Sequence, residues 1–342
     1  MYGQKNNYHI VVNANKGSIP DMRIFVLVVD NMFDTGLTAI LDTLDIANEL
    51  ISNRGDRIHF EVTITGVRPS IQTRLGLSVS ATLATSLPCP DLVIVPAIAD
   101  RTPDMLTAAL QRPDVVEAQS IVQHWYQSGA LVTAACTGTY ILAAAGLLDG
   151  VRATTTWWLA SDFRKRFPRV ILDDAQMLVV QEQRVTAGAA LAHVDLVLWI
   201  IRQYSQEVAQ WVSRYILIDG RPSQAVYAIA NHLAHNDSLI ERFQHWVRHN
   251  LNSFTMKDAA KAMGVSERTL QRRCREALGL TPIAFVQDLR IEQAIYRLQT
   301  TDKSVEEIAE AVGYLDGVTL RTLLRKKTGY GIRELRRINQ QM

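Results

Sequence analysis

The sequence predicts two domains of different class. An α/β domain on a doubly wound, mostly parallel sheet is followed by an all-α domain with two helix-turn-helix units. Three observations carry this. Apolar β-branched runs alternate with helix-period segments from residue 23 onward, the C-terminal third holds helix-period segments instead, and that third repeats itself at a spacing of about fifty residues. A chain of 342 residues is also long for one ordinary core. The expected organisation is a loose tail over 1–21, the α/β domain over 22–204, a helical linker over 205–236 and the helical domain over 237–338.

The first twenty residues, rich in Asn and Lys with Gly17 and Pro20, show no sustained periodicity. Strands are then expected at 24–29, 58–65, 92–95 and 131–135, with helices at 37–51 and 115–127 between them. Buried β-branched runs of this kind form a central sheet covered on both faces. The connection after the fourth strand carries chemistry. Cys136 ends the strand, and residues 137–142 begin a helix, so the thiol is expected to be exposed at the carboxyl edge of the sheet. Helix N-terminal amides there can lower a thiol's pKa or hold an anion.

Residues 207–235 read as helices joining the domains, broken at Gly220, Arg221 and Pro222. An apolar face of Ile201, Val208, Trp211, Val212, Tyr215 and Ile216 needs cover, from its own domain or from a second copy in a homodimer.

The repeat comes next. Residues 259–265 align with 308–314, sharing Ala, Ala and Gly at the second, fourth and sixth places, and the match resumes at Leu270 with Leu320, Arg275 with Arg325 and Gly279 with Gly329. Each copy reads as helix, glycine turn, helix. Gly264 and Gly313 permit a left-handed turn, while Ser266 and Asp316 can cap the second helices. Helical spacing turns Leu270, Cys274 and Leu278 inward and leaves Arg268, Gln271, Arg272 and Arg275 outward. Arg can pair with guanine and Gln with adenine, so this face suits base readout. In the second copy Leu320 and Leu324 turn inward, and Arg321, Thr322, Arg325 and Lys326 can face DNA. Gly317 and Val318 open that helix without hydrogen-bonding side chains, so phosphate and shape contacts are expected to weigh more there. A connecting helix over 282–300, carrying Ile283, Val286, Leu289, Ile291, Ile295 and Leu298, would hold the two recognition helices about one DNA turn apart, roughly 34 Å.

Charge agrees with this division. Residues 22–200 hold 13 Lys/Arg against 18 Asp/Glu, whereas 237–342 hold 18 against 13. A basic module beside an acidic one suits phosphate binding. The three cysteines, Cys89, Cys136 and Cys274, lack C-x-x-C spacing, so no disulfide framework, zinc site or other cofactor is expected. No long uncharged apolar run or signal segment is present, so the expected location is the cytoplasm, at the nucleoid, with no membrane partner.

The C-terminal residues 237–338 resemble the AraC/XylS class of DNA-binding domain, on the motifs at 259–264, 266–279, 281–282, 308–314 and 325–329. The inward aromatic usual in each recognition helix is Cys274 or Leu324 here, and the usual Ser-Pro after the last glycine is Gly331-Ile332. The elbow, the strand ending at Pro96, residues 143–150 and residues 188–198 with Asp195 resemble the PfpI-like, class I amidotransferase-like superfamily of flavodoxin-like folds. The domain order is similar to its GlxA-type regulator branch. That resemblance implies a DNA-binding transcription regulator, leaning toward an activator, with double-stranded DNA, a small effector and RNA polymerase as partners.

Active enzymes of the superfamily place His directly after the nucleophilic Cys or some twenty residues on. Thr137 and Thr156 stand at those places, and Ala97-Ile98 replaces a glycine-rich oxyanion turn. His59, His124 and His193 remain as other bases. The resemblance implies a non-catalytic ligand pocket at Cys136, Thr137 and Thr156, with Asp34 and Trp157 as neighbours. A Trp face and a carboxylate would suit an amine or quaternary ammonium ligand. Two other readings stay open: a thiol-dependent amidase, peptidase or glyoxalase-like enzyme with an accessory DNA module, and a helical protein-interaction module.

Overall fold

A computed structural model describes residues 21–54, 58–218, 221, 223–224 and 238–337. Residues 1–20 of the tail expected over 1–21, the break at Gly220 and Pro222 and residues 225–236 of the linker expected over 205–236 lie outside them. The chain forms two compact units, one of 1–156, 169–173 and 177–221 and the other of 157–168, 174–176 and 222–342.

The first unit is built on a seven-stranded sheet. Its strands are β1 (Asp21–Val28), β2 (His59–Gly66), β3 (Thr82–Leu83), β4 (Leu92–Val95), β5 (Leu131–Ala135), β6 (Leu178–Gln181) and β7 (Arg184–Ala187), in the order β6-β7-β5-β4-β1-β2-β3. Every pairing is parallel except the antiparallel edge pair β6 and β7. All of β4 and β5 is buried, as strands covered on both faces must be. Helices α1 (Asp34–Arg54), α6 (Ala192–Tyr204) and α7 (Gln206–Tyr215) pack together in one layer. The other layer contains α2 (Pro103–Leu110), α3 (Pro113–Gln127) and α4 (Gly138–Ala144). The sequence placed β4 and β5 to the residue and missed the two-residue edge strand β3 and the antiparallel pair β6 and β7.

The second unit contains α5 (Ala160–Arg166) and then α8 (Ser238–His249), α9 (Met256–Met263), α10 (Glu267–Leu278), α11 (Pro282–Thr300), α12 (Val305–Val312), α13 (Gly317–Thr328) and α14 (Ile332–Arg337). It holds two apolar cores joined by α11. Phe285, Val286 and Leu289 enter the first with Leu270, Cys274 and Leu278, while Ile291, Ala294, Ile295 and Leu298 enter the second with Leu320 and Leu324. One stiff helix therefore belongs to both helix-turn-helix units and fixes their relation. Of the apolar residues that marked this helix in the sequence, Ile283 is half exposed rather than buried.

The excursion at 157–168 folds into this unit. Ser161 Oγ and Lys165 Nζ both donate to the Ala277 carbonyl, in the last turn of α10, at 3.1 and 3.4 Å, and Arg164 pairs with Asp174 at 2.7 Å.

Candidate functional site

Each recognition helix starts where its cap dictates. Ser266 Oγ accepts from the Thr269 amide at 3.1 Å to open α10, and Asp316 Oδ1 accepts from the Thr319 amide at 2.7 Å to open α13. Gly264 and Gly313 both adopt left-handed φ, 70° and 91°, at the preceding turns. Leu270, Cys274, Leu278, Leu320 and Leu324 are buried, which turns the opposite faces outward.

On α10, Arg268, Arg272 and Arg275 are exposed, whereas Gln271 is half-buried. Arg272 forms an i,i+4 pair with Glu276 at 2.8 Å, exposed on both sides and therefore cheap to exchange for a base. On α13, Arg321, Thr322, Arg325 and Lys326 are all exposed. Arg321 pairs with Glu306 of α12 at 2.8 Å, and the Thr322 hydroxyl donates to the Val318 carbonyl at 3.0 Å. Among the described residues, Arg268, Arg275, Arg325 and Lys326 form no ion pair and stand available for phosphate or base edges.

The elbow in the first unit differs from its expectation in two ways. Cys136 is buried rather than exposed, only 4% accessible, and sits at a left-handed φ of 55°. Its thiol is not acidified. Burial pushes its pKa up to about 11, against the opposing pull of the Thr137 amide, the nearby Thr156 and Thr137 hydroxyls and the charge of Arg101. The helix that follows is pressed against β4. A Cβ on Gly138 would lie 2.4 Å from the Val95 carbonyl, so glycine alone fits there.

Three loops meet around this elbow. Thr137 Oγ1 donates to the Ile98 carbonyl at 2.5 Å, the Phe33 amide donates to Ala97 at 2.8 Å, and Asn31 Nδ2 donates to Asp100 at 2.9 Å. Asp34 is buried at the start of α1, one oxygen accepting from the Leu75 amide at 3.1 Å and Oδ1 unpaired. Thr156 is wholly buried. Its Oγ1 finds no partner of sound geometry among the described residues, though it faces the thiol closely enough to favour the thiolate. Trp157 belongs to the other compact unit, half-buried and edge-on to Trp158.

Of the three histidines considered as bases, His59 and His124 are exposed on β2 and α3. His193 is fully buried, and burial pushes its pKa down to about 4, so it is neutral. Its Nε2 accepts from the Ala97 amide at 3.1 Å, and Nδ1 faces the Ala190 carbonyl. Both ring nitrogens are thereby committed, and the amide in the place of the oxyanion turn is spent. Arg101, on the same loop as Ala97, was missed from the sequence. Its position just past the carboxyl end of a buried strand was the available signal. A groove of about 480 Å³ along α1 and β2, lined by Asp42, Asp45 and His59 among others, contains none of the elbow residues. Among the described residues no cluster of metal-ligating side chains occurs, and no helix is long and apolar enough to cross a membrane.

Comparison with known families places both halves. The DJ-1/PfpI family matches residues 22–203, more than half of the sequence. The chain belongs to the DJ-1/PfpI family. A helix-turn-helix domain of the AraC type matches residues 259–338, so this DJ-1/PfpI member has the GlxA-type arrangement that the sequence motifs resemble. The HTH-type transcriptional regulator GbdR of Pseudomonas aeruginosa is 25% identical over 295 residues, covering 84% of this chain and 77% of that protein. The HTH-type transcriptional regulator ArgR of the same species is 30% identical over 214 residues, 61% of this chain; the match spans 64% of ArgR, just under two thirds of it. Among solved structures, a ThiJ/PfpI family protein from Pseudomonas syringae has a TM-score of 0.50 at 20% identity. It covers 71% of this chain and 91% of its own, and shares the fold.

Proposed function

We propose that this DJ-1/PfpI member is a sequence-specific transcription regulator, an activator whose α/β domain binds a small nitrogenous effector without turning it over. The observation that carries the reading is the pair of capped recognition helices, each with an outward basic face, welded by the single helix α11. The regulators named among its relatives support it. Action as a homodimer and engagement of RNA polymerase belong to the same reading.

Binding without catalysis is favoured by the chemistry of the elbow. A nucleophilic thiol needs a base and an oxyanion donor. Here the thiol stays protonated, the buried histidine has both nitrogens engaged, and the Ala97 amide is occupied. What the region offers is unpaired buried oxygen: Asp34 Oδ1, Thr139 Oγ1 and Thr156 Oγ1. Such atoms are costly until a donor meets them, and an amine ligand brings donors and a charge for Asp34.

A route to DNA follows from chain order. The Thr155 hydroxyl donates to the Cys136 carbonyl, and residues 157–168 then run into α5, which holds the last turn of α10 through Ala277. This segment, more than the linker the sequence suggested, is the proposed transmitter.

The test has two arms. The full chain is used to select sites from randomised duplexes, with enrichment of a two-box site expected and none sinking the reading. Thermal shifts with amino acids, betaines and polyamines should find a stabilising amine whose effect is lost in Thr156→Trp while DNA binding persists. Turnover of an amide, peptide or glyoxal that Cys136→Ser abolishes would make the protein an enzyme instead.

A further inference from the structure

Two of the most exposed apolar side chains of the helical unit flank the start of α13. Leu315 is fully exposed, at 104%, and Val318 is 68% exposed. Single exposed apolar residues are ordinary on a protein surface, so their meaning rests on where they stand. They stand at the end of a recognition helix that approaches base edges.

The polar groups around them are turned elsewhere. Asp316, between them, is spent on capping, accepting from both the amide and the hydroxyl of Thr319. Gly317 has no side chain, and a Cβ there would meet Glu306 Oε1 at 2.6 Å. That same oxygen pairs with the Arg321 guanidinium at 2.8 Å, an exposed ion pair that draws this cation toward α12 in the DNA-free protein and, like that of Arg272, is cheap to exchange. The Thr322 hydroxyl is donated to the Val318 carbonyl, which leaves its methyl as the apolar end. Val318 and Thr322 are one helical turn apart on the outward face, with Lys326 a turn further along. The row formed by Val318 and Thr322 therefore presents methyl groups, with Arg321 beside it paired to Glu306 and Lys326 a turn further on.

We propose that Leu315 and Val318, supported by the Thr322 methyl, form a thymine-reading site that recognises the C5-methyl groups of thymines in the major groove. The thymine methyl is the apolar feature that base pairs display there, and aliphatic contact is how proteins read it. This rests on the DNA-binding reading above and deepens it. It adds a base-reading contact to the expectation that phosphate and shape contacts weigh more in the second unit than in the first. The first unit reads through hydrogen bonds, and the second reads its base step through methyl contact.

The experiment uses the full chain and the site it selects from randomised duplexes. Arg272→Ala identifies the box read by the first unit, and Leu315→Asn with Val318→Ser identifies the other. Both substituted positions are exposed, and retained selection of the first box certifies that the variant folds. Thymines in the second box are then replaced singly by deoxyuridine, which removes the methyl and nothing else. Burying one methyl-sized group predicts about a four-fold loss of affinity at a contacted thymine. The double variant should lose that penalty. A second box indifferent to uridine, or a uridine penalty unchanged in the double variant, overturns the proposal while leaving DNA binding intact. If the variant keeps the penalty and loses only transcription, the patch contacts a protein and the proposal also fails. Absence of any enriched site would overturn the DNA-binding reading itself.

Discussion

Fifty residues apart, Arg268, Arg272 and Glu276 on α10 occupy the places that Val318, Thr322 and Lys326 occupy on α13. The backbones beneath them match closely: a left-handed glycine turn, a capped start, buried side chains at the same three inward positions and a left-handed glycine at the end. The scaffold is duplicated and the presented chemistry is not. A helix-turn-helix repeat can therefore hold its inward pattern while its outward pattern diverges, because packing constrains the one and only the partner constrains the other. The turns diverge too. Gly264 has open space where a Cβ would go, whereas a Cβ on Gly313 would lie 2.5 Å from the Leu251 carbonyl oxygen and 2.7 Å from the Arg290 guanidinium.

That difference yields the largest expected effect. Gly264→Ala pays only the left-handed backbone cost, about 1 kcal/mol. Gly313→Ala adds overpacking against a carbonyl that Arg290 already holds through two hydrogen bonds, and should cost about 3 kcal/mol or more. Urea unfolding of the full chain measures both. Equal shifts in midpoint would show that the second turn relaxes freely and that the two units are mechanically alike.

A smaller effect separates their roles on DNA. Arg272→Ala should cost about 1–3 kcal/mol on the selected site and relax its sequence preference. Lys326→Ala should weaken all duplexes similarly and lower the slope of log affinity against log salt by about 1. Titrations of specific and random duplexes across salt distinguish them. Identical behaviour of the two variants would erase the contrast between a reading arginine and a positioning lysine.

What was legible in the sequence was mostly local. Ser266, Asp316, Gly264 and Gly313 announce helix ends through neighbours three or four residues away, and all four perform that part. The inward leucines followed from period alone. The elbow was placed correctly, Cys136 following β5, but its state was not, because the partners that hold Cys136 and Thr137, at Ile98, Thr155 and Ala187, are distant in the chain. Gln271 was assigned outward by period and is half-buried. The hold of α5 on Ala277 spans 116 residues and leaves no local trace. Leu315 and Val318 were visible as residues, but their meaning required knowing where Arg321 and the Thr322 hydroxyl had gone.

The smallest expected effect concerns acid. The first unit opens its helices with the hydroxyl caps Thr255 and Ser266, Asp258 accepting only from the Thr255 hydroxyl, whereas in the second a carboxylate accepts a backbone amide at both helix starts. Glu307 completes a capping box with Ser304, and Asp316 caps α13. Hydrogen bonding to Ser304 holds the Glu307 carboxyl below its ordinary value, and the Thr319 amide does the same for Asp316. A carboxyl depressed in the folded state stabilises above its unfolded pKa, and that contribution is lost as pH falls through the folded value. The second unit should therefore loosen below about pH 4.5 while the first keeps its caps. Amide protection factors in α12 and α13 against those in α9 and α10, measured at pH 6 and pH 3, report it. Asp316→Ser should abolish the pH response of α13 alone, because it keeps a cap and removes the titrating group. A uniform loss of protection across all four helices would assign the acid response to the shared helix α11 instead, and the two units would then melt as one body.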